Sequence, residues 1–227
     1  MVKKVVLLTV CLLVFSGCLN SRPMVGTNAV RGSGRVVTHE FDVTRPITGI
    51  EIGGVPAKVN ISSEKSDKIT CVIDDNLLEY LTVEVTRDGI LKINTRGNRT
   101  FVTNNTIVFN IGTDTLESIT VSSAASINID GLFTDAPLSL NISGAASINM
   151  TGEAENLSIS VSGAANVNAR EFITQDVKLN VNGAGSVEVY AAKTLDAVLS
   201  GVGSIRYWGS PEVTQSIRGL GTIREGN

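Results

Sequence analysis

A seven-residue pattern recurs six times between residues 116 and 223, and it constrains the fold more than any other feature of this chain. Each copy begins and ends with Val, Leu or Ile and carries mostly Gly, Ala and Ser between them. The copies are 121–127, 142–148, 161–167, 181–187, 199–205 and 217–223. Their third residues are separated by 21, 19, 20, 18 and 18 positions. A nearly constant period of this length indicates a solenoid, in which every repeat is one supersecondary unit.

Alternating aliphatic and polar residues flank each copy, as in Leu138-Ser-Leu-Asn-Ile142. This period of two in largely β-branched residues predicts strands with one face turned inward. The small residues between the aliphatic positions predict a sharp corner, because glycine tolerates positive φ. Variable segments such as 130–137 would close each coil on its far side. The predicted fold class is therefore all-β, a right-handed parallel β-helix with coils of about 18–21 residues.

One polar position of the repeat predicts a ladder along the solenoid, since equivalent positions of successive coils stack about 4.8 Å apart. Its members are Asn128, Asn149, Asn168, Glu188, Arg206 and Arg224. Stacked Asn amides hydrogen-bond to one another, and Glu188 beside Arg206 predicts an ion pair. We interpret the ladder as stabilising the coils, with a ligand-binding stripe as the alternative.

The first residues are typical of an exported lipoprotein. A basic start precedes an apolar run over 5–15, which is too short to span a bilayer and predicts a signal peptide over 1–17. Phe15-Ser-Gly-Cys18 resembles the bacterial lipobox, which implies cleavage before Cys18 and lipidation of that cysteine. Residues 18–34 are interpreted as the lipidated cysteine and a flexible tether. The alternative is an ordinary signal peptide with an incidental cysteine.

The predicted localisation follows from this leader. Residue 19 is Leu rather than the Asp of enterobacterial inner-membrane retention, so the expected address is the outer membrane. The lipid would be the chain's only membrane attachment. The sequence leaves open whether the protein faces the cell surface or the periplasm.

Charge and reactive residues narrow the classes of function. The formal net charge is −3, and loss of Lys3 and Lys4 with the leader gives −5, so no nucleic-acid partner is expected. His39 is the single histidine and precedes the repeats, which disfavours a zinc site or a His-based triad. Acidic residues fall in variable segments that we interpret as loops. We therefore predict no enzyme activity, no cofactor and no metal, and we interpret Cys71 as a buried apolar residue.

Residues 35–115 are rich in predicted strands but lack the repeat. The strand candidates are 35–43, 47–52, 57–61, 69–73, 81–86, 90–94 and 106–111. Residues 75–80 predict one helical turn, capped by Asp75 or Asn76. We interpret 35–115 as irregular β coils that cap the regular repeats of 116–227, with a separate β domain as the alternative. Charged residues on the last coil, such as Arg218, disfavour end-to-end pairing and predict a monomer.

The order of these features resembles the head GIN domain family, described as "putative auto-transporter adhesin". The segments that carry the resemblance are Ile47-Thr-Gly-Ile-Glu-Ile52, Val55-Pro-Ala-Lys-Val-Asn-Ile61, Asp75-Asn-Leu-Leu-Glu-Tyr80, Asp88-Gly-Ile-Leu-Lys-Ile93, Leu116-Glu-Ser-Ile-Thr-Val121 and the Ser-Gly-Ala-Ala-Ser-Ile repeats. The resemblance covers roughly 40–225. It implies a right-handed β-helix that is secreted or lipid-anchored, and it supplies no catalytic residues.

The predicted function is that of a cell-envelope lipoprotein whose β-helical surface binds glycan or protein ligands as an adhesin-like module. Tyr190, Tyr207 and Trp208 are the candidate ligand surface, because aromatic rings stack on sugars; alternatively, Tyr207 and Trp208 cover the end of the apolar column. Asp114-Thr115-Leu116 resembles a short O-glycosylation signal, so Thr115 is a candidate modification site or a plain turn residue. A structural envelope component without a ligand is the alternative function. A polysaccharide-active β-helix enzyme is less favoured.

Overall fold

The computed structural model describes residues 28–226, so the predicted signal peptide and Cys18 lie outside it. The strands are β1 (Ala29–Arg31), β2 (Val36–Asp42), β3 (Gly49–Ile52), β4 (Ala57–Ser62), β5 (Lys68–Asp74), β6 (Leu81–Val85), β7 (Ile90–Thr95), β8 (Thr100–Val102), β9 (Ile107–Gly112), β10 (Ser118–Val121), β11 (Ala124–Thr134), β12 (Leu138–Ile142), β13 (Ala145–Val161), β14 (Ala164–Val181), β15 (Ala184–Leu199), β16 (Val202–Trp208), β17 (Glu212–Ile217) and β18 (Leu220–Glu225). A 3₁₀ helix spans Asp75–Tyr80, as predicted, but its N-cap position is Asp74, whose side chain makes no capping hydrogen bond. Within 28–226, no helix has the length and apolar character needed to cross a bilayer.

From β10 onward the chain winds as a stack of coils whose neighbouring strands pair in parallel. The register aligns equivalent residues of successive repeats, so that Ala145 pairs with Ala164 and Ala164 with Ala184. The long strands β13, β14 and β15 bend across corners and each contributes to several faces of the stack. This arrangement confirms the predicted fold class, an all-β parallel β-helix. Its right-handed winding stays a prediction.

Inward aliphatic side chains form a continuous column. Leu140, Ile159, Leu179 and Ala197 follow one another in register, and each is at most 1% exposed. Full burial of an aliphatic side chain contributes about 1.5–3 kcal/mol. The column explains why the repeat tolerates many polar residues yet keeps its aliphatic positions.

The first glycine of the repeat corner is required by close stacking rather than by the expected positive φ, which within the corners is found at Gly185. A Cβ on Gly163 would lie 2.0 Å from the carbonyl oxygen of Gly144, and one on Gly183 would lie 1.9 Å from that of Gly163. Neither glycine has a positive φ. Ser123 occupies the first corner instead, and its hydroxyl donates to the carbonyl oxygen of Val55 at 3.0 Å.

The N-terminal coils stack in an order that differs from the order of the chain. Strands β3 and β4 form the coil that pairs directly with β10 and β11. The later strands β7 and β9 lie outside that coil, on its other side. Antiparallel strands β6, β5 and β2 complete this end. Residues of both predicted regions contribute to one hydrophobic core.

Residues 29–35, here called the N-terminal strap, are bound to this end of the stack. Strand β1 pairs in parallel with β8. The amide of Asn76 donates to the carbonyl oxygen of Arg31 at 2.8 Å, and the guanidinium of Arg35 donates to Asp75. The predicted tether of 18–34 is therefore too long, because its last residues pair as strand and hydrogen-bond to the solenoid.

Candidate functional site on the ladder face

The predicted polar ladder is present and is longer than expected. Its Asn part begins at Asn110 and Asn60, which the repeat pattern did not include. Asn60 donates to Asn110 at 2.8 Å, Asn128 donates to Asn60 at 3.2 Å, and Asn149 donates to Asn128 at 3.4 Å. Asn60 and Asn128 thus each donate to one coil and accept from the next, and this row of bonds extends as far as Asn149. We call the outward surface that carries this row the ladder face.

A second row of small polar residues runs beside the first on the same face. Its members pair in register and are Ser126, Ser147, Asn166, Ser186, Ser204 and Thr222. The hydroxyls of Ser186 and Ser204 lie 3.2 Å apart. The two rows give the ladder face a flat surface of donors and acceptors that repeats once per coil, about every 4.8 Å.

The ladder becomes charged toward the C-terminal coils. Arg206 forms the predicted ion pair with Glu188, with 3.5 Å between nitrogen and oxygen. The next member, Arg224, pairs in register with Arg206, which places two like charges on neighbouring strands. Such neighbours destabilise a sheet unless an opposite charge lies between them.

Trp208 lies on the ladder face beside this charged part. It pairs in register with Tyr190 of the preceding coil. The guanidinium carbon of Arg170 lies 4.7 Å from the centroid of the Trp208 ring, a cation–π contact. The backbone of Gly226 packs against the indole edge, where an added Cβ would lie 2.6 Å from Nε1. The indole N–H is buried and finds no acceptor among residues 28–226.

The expectation that Tyr207 and Trp208 form one patch is wrong. Successive side chains of a strand point to opposite faces. Tyr207 pairs with the fully buried Val189 and packs against the core, where it covers part of the apolar column. Tyr190 and Trp208 remain on the outward side.

A groove of about 380 Å³ joins these groups at the C-terminal end of the ladder face. We call it the Arg–Trp groove, and its lining residues are Arg170, Glu188, Arg206, Trp208, Arg224, Glu225 and Gly226. Sequence reasoning missed Arg170 as a functional candidate, because a register irregularity between Asn149 and Thr151 removes it from every repeat column. The signal that identifies Arg170 as a candidate is its positive charge in an otherwise neutral part of the ladder face.

Thr115, the candidate glycosylation residue, is exposed at the rim of a second groove of about 570 Å³. Its hydroxyl donates to the carbonyl oxygen of Ile47 at 3.2 Å, and its backbone N–H donates to the hydroxyl of Thr113 at 3.3 Å. These bonds fix the turn before β10. Modification of Thr115 stays a prediction.

The remaining reactive residues occupy structural positions. Cys71 is fully buried, as predicted, and burial raises the pKa of its thiol to about 12. His39 packs edge-on against Phe41, with 4.6 Å between ring centroids. Residues 28–226 contain no group of three or more His, Cys, Asp or Glu side chains that could hold a metal ion.

The acidic residues expected in loops lie mostly in strands. Glu153 and Glu155 belong to β13, and Glu171 and Asp176 belong to β14. The expectation failed because the coil return is itself paired strand, as shown by Ala154, which pairs with Thr174. Their side chains lie on the outer side of this return, where Glu153, Glu155 and Glu171 are exposed.

Solved structures share this fold. A Bacteroides fragilis protein described as "a putative adhesin" aligns with a TM-score of 0.69 and 22% identity over 86% of this chain and 99% of its own. A "putative adhesin" from Parabacteroides distasonis aligns with a TM-score of 0.52 and 22% identity over 87% and 100%. No curated protein matches the chain. The family model "Putative auto-transporter adhesin, head GIN domain" matches residues 48–211, and the chain belongs to that family.

Proposed function

We propose that this protein is a lipid-anchored adhesin-like module of the cell envelope that holds an extended polar polymer, glycan or protein, along its ladder face. The observation that carries the proposal is the pair of parallel polar rows, which run along the stack and end at the Arg–Trp groove. Membership of an adhesin family supports a cell-envelope or surface role.

The ladder face suits a linear polymer better than a small compact ligand. Its Asn and Ser rows repeat once per coil and offer many similar donors and acceptors. The inter-coil hydrogen bonds hold the Asn amides in place, so little side-chain entropy is lost when a ligand binds. A polymer ligand with a regular repeat can therefore form many weak hydrogen bonds along the ladder face. The Arg–Trp groove supplies one stronger contact at the end.

The position of the strap supports an orientation in which the Arg–Trp groove points away from the membrane. The strap binds beside β8, in the outermost N-terminal coil, whereas the groove lies on the last coils. In this proposal Cys18 carries the lipid, and the ten residues to Asn28 reach at most about 35 Å when extended. The N-terminal coils would then lie nearest the bilayer and the Arg–Trp groove farthest from it.

The testing experiment compares intact with lysed cells that produce the full-length lipoprotein. Antibody or protease should reach the solenoid on intact cells, and those cells should bind immobilised glycans or matrix proteins more strongly than cells lacking the gene. A Cys18→Ala variant serves as the anchoring control, because it should leave the membrane fraction. Accessibility only after lysis contradicts the adhesin proposal and favours the structural envelope role.

A further inference from the structure

We propose that the Arg–Trp groove is a binding site for an acidic polysaccharide, one whose sugar rings carry carboxylate or sulfate groups. The inference rests on the proposed function, since it names the class of ligand that this end of the ladder face selects. It is carried by the arrangement of guanidinium groups around Trp208.

The charges within the groove do not cancel. Arg170, Arg206 and Arg224 face the two carboxylates Glu188 and Glu225. Within residues 28–226, Arg206 has an ion pair with Glu188, whereas Arg170 and Arg224 have no carboxylate within 4.0 Å. The groove thus carries excess positive charge on a chain whose formal net charge is −3.

The geometry leaves these cations ready to bind an anion. The guanidinium carbon of Arg170 lies over the indole of Trp208, and no carboxylate of residues 28–226 lies within 4.0 Å of its N–H groups. Arg224 lies one strand from Arg206, and an anion between them would relieve their repulsion. Guanidinium groups bind carboxylates and sulfates through paired, charge-assisted hydrogen bonds.

The surroundings favour a glycan over an acidic peptide. Beside the groove, from Asn168 back to Asn128, the two rows carry neutral Ser and Asn side chains, which match the hydroxyl groups of further sugar units. A bound peptide strand needs pockets for its alternate side chains, whereas the Ser and Asn side chains of this stretch offer hydrogen bonds.

The test measures binding of the full-length lipoprotein, in detergent micelles, to polygalacturonate, dextran sulfate and neutral dextran. Arg170→Gln and Arg224→Gln should each weaken binding to the acidic polymers about tenfold, as expected for loss of one charge-assisted contact. The matched control is Arg87→Gln, which removes the same charge from the exposed β6–β7 turn and should change affinity less than twofold. Glu188→Gln should strengthen binding about threefold, because it releases Arg206.

The outcomes separate this inference from the proposed function. Equal losses for Arg87→Gln and Arg170→Gln would show that only overall charge matters, and the groove would be rejected as the site. Binding of neutral dextran or of a protein by surface-exposed lipoprotein, without binding of the acidic polymers, would overturn the inference while the adhesin proposal stands. A weakening by Glu188→Gln would also contradict it. Accessibility of the solenoid only in lysed cells would remove the adhesin proposal itself.

Discussion

Arg170 covers the single tryptophan of the chain, Trp208, with 4.7 Å between the guanidinium carbon and the ring centroid. The two residues are 38 positions apart in sequence, and two steps of parallel pairing bring them together. Trp208 is therefore shielded by a side chain that is itself exposed. Since the chain has one tryptophan, its tryptophan fluorescence reports on the surroundings of Trp208 alone.

Replacement of Arg170 by Gln should uncover the indole. We expect the neutral quencher acrylamide to quench Trp208 emission more strongly, while the melting temperature changes little, because an exposed cation–π contact contributes only about 0.5–1 kcal/mol. Arg87→Gln, on the distant β6–β7 turn, should leave quenching unchanged. Unaltered quenching in Arg170→Gln would mean that the guanidinium does not shield the ring in solution.

The corner glycines should be intolerant of even a methyl group. Gly183→Ala places a Cβ 1.9 Å from the carbonyl oxygen of Gly163, so neighbouring coils must separate. We expect a loss of about 1–3 kcal/mol in the free energy of unfolding, measured by urea denaturation. Ser123→Ala is the matched control, since that corner already accommodates a Cβ and loses only a hydrogen bond, about 0.5–1.5 kcal/mol. A milder effect at Gly183 than at Ser123 would refute the stacking explanation.

Acid should release the N-terminal strap. The hydroxyl of Ser33 and the guanidinium of Arg35 donate to Asp75 and hold the pKa of its carboxyl below the ordinary value. A lowered pKa in the folded state stabilises the fold above the unfolded pKa, about 3.9, and this stabilisation is lost as the pH falls through the folded pKa.

Protection of residues 29–35 against hydrogen exchange, relative to the intrinsic rate at each pH, should therefore fall below about pH 4, ahead of protection in the regular coils. Asp75→Asn should show fast exchange of the strap at neutral pH and no further acid step. Asp135→Asn, an exposed residue outside the strands, is the control and should behave as the unmodified protein. A strap that stays protected in Asp75→Asn would contradict this account.

Thiol counting should separate lipidated from unlipidated protein. Cys71 is fully buried and its pKa is raised to about 12, so it should resist alkylation at pH 8 until the protein is denatured. In the proposed lipoprotein, Cys11 is removed with the leader and the sulfur of Cys18 is a thioether. The mature protein should then label at no thiol when native and at one when denatured, by intact mass. Two labelled thiols after denaturation would contradict lipidation at Cys18.

The repeats made most of the solenoid predictable, because each inward position is a local choice of residue that recurs in every coil. Leu140 and Ile159, for example, could be assigned to the core from alternation alone. The strands of 35–115 other than β8, and the turn at 75–80, were equally accessible, since their periodicity and turn residues are local signals. The Glu188–Arg206 pair followed from register, which the constant period supplies.

What sequence reasoning missed depends on non-local geometry. The placement of β7 and β9 outside β3 and β4 reverses chain order, and no local pattern encodes it. The close approach at Gly183 depends on the distance between coils rather than on backbone torsion. Arg170 was not predicted as a site residue because it lies at a register irregularity, and only the stacking of coils brings it near its partner Trp208.

The strap at one end of the stack and the Arg–Trp groove at the other define a path for mechanical load. Tension between an anchored N-terminus and a captured polymer would run along the stacking axis, nearly parallel to the hydrogen bonds that join one coil to the next. Bonds within one coil interface share the force, whereas successive interfaces carry it in series. The weakest interface therefore limits the tension that the whole molecule can carry. At the groove end, β18 pairs with β16 and with no other strand of residues 28–226, and Leu220 is 77% exposed, so this outermost interface should yield first.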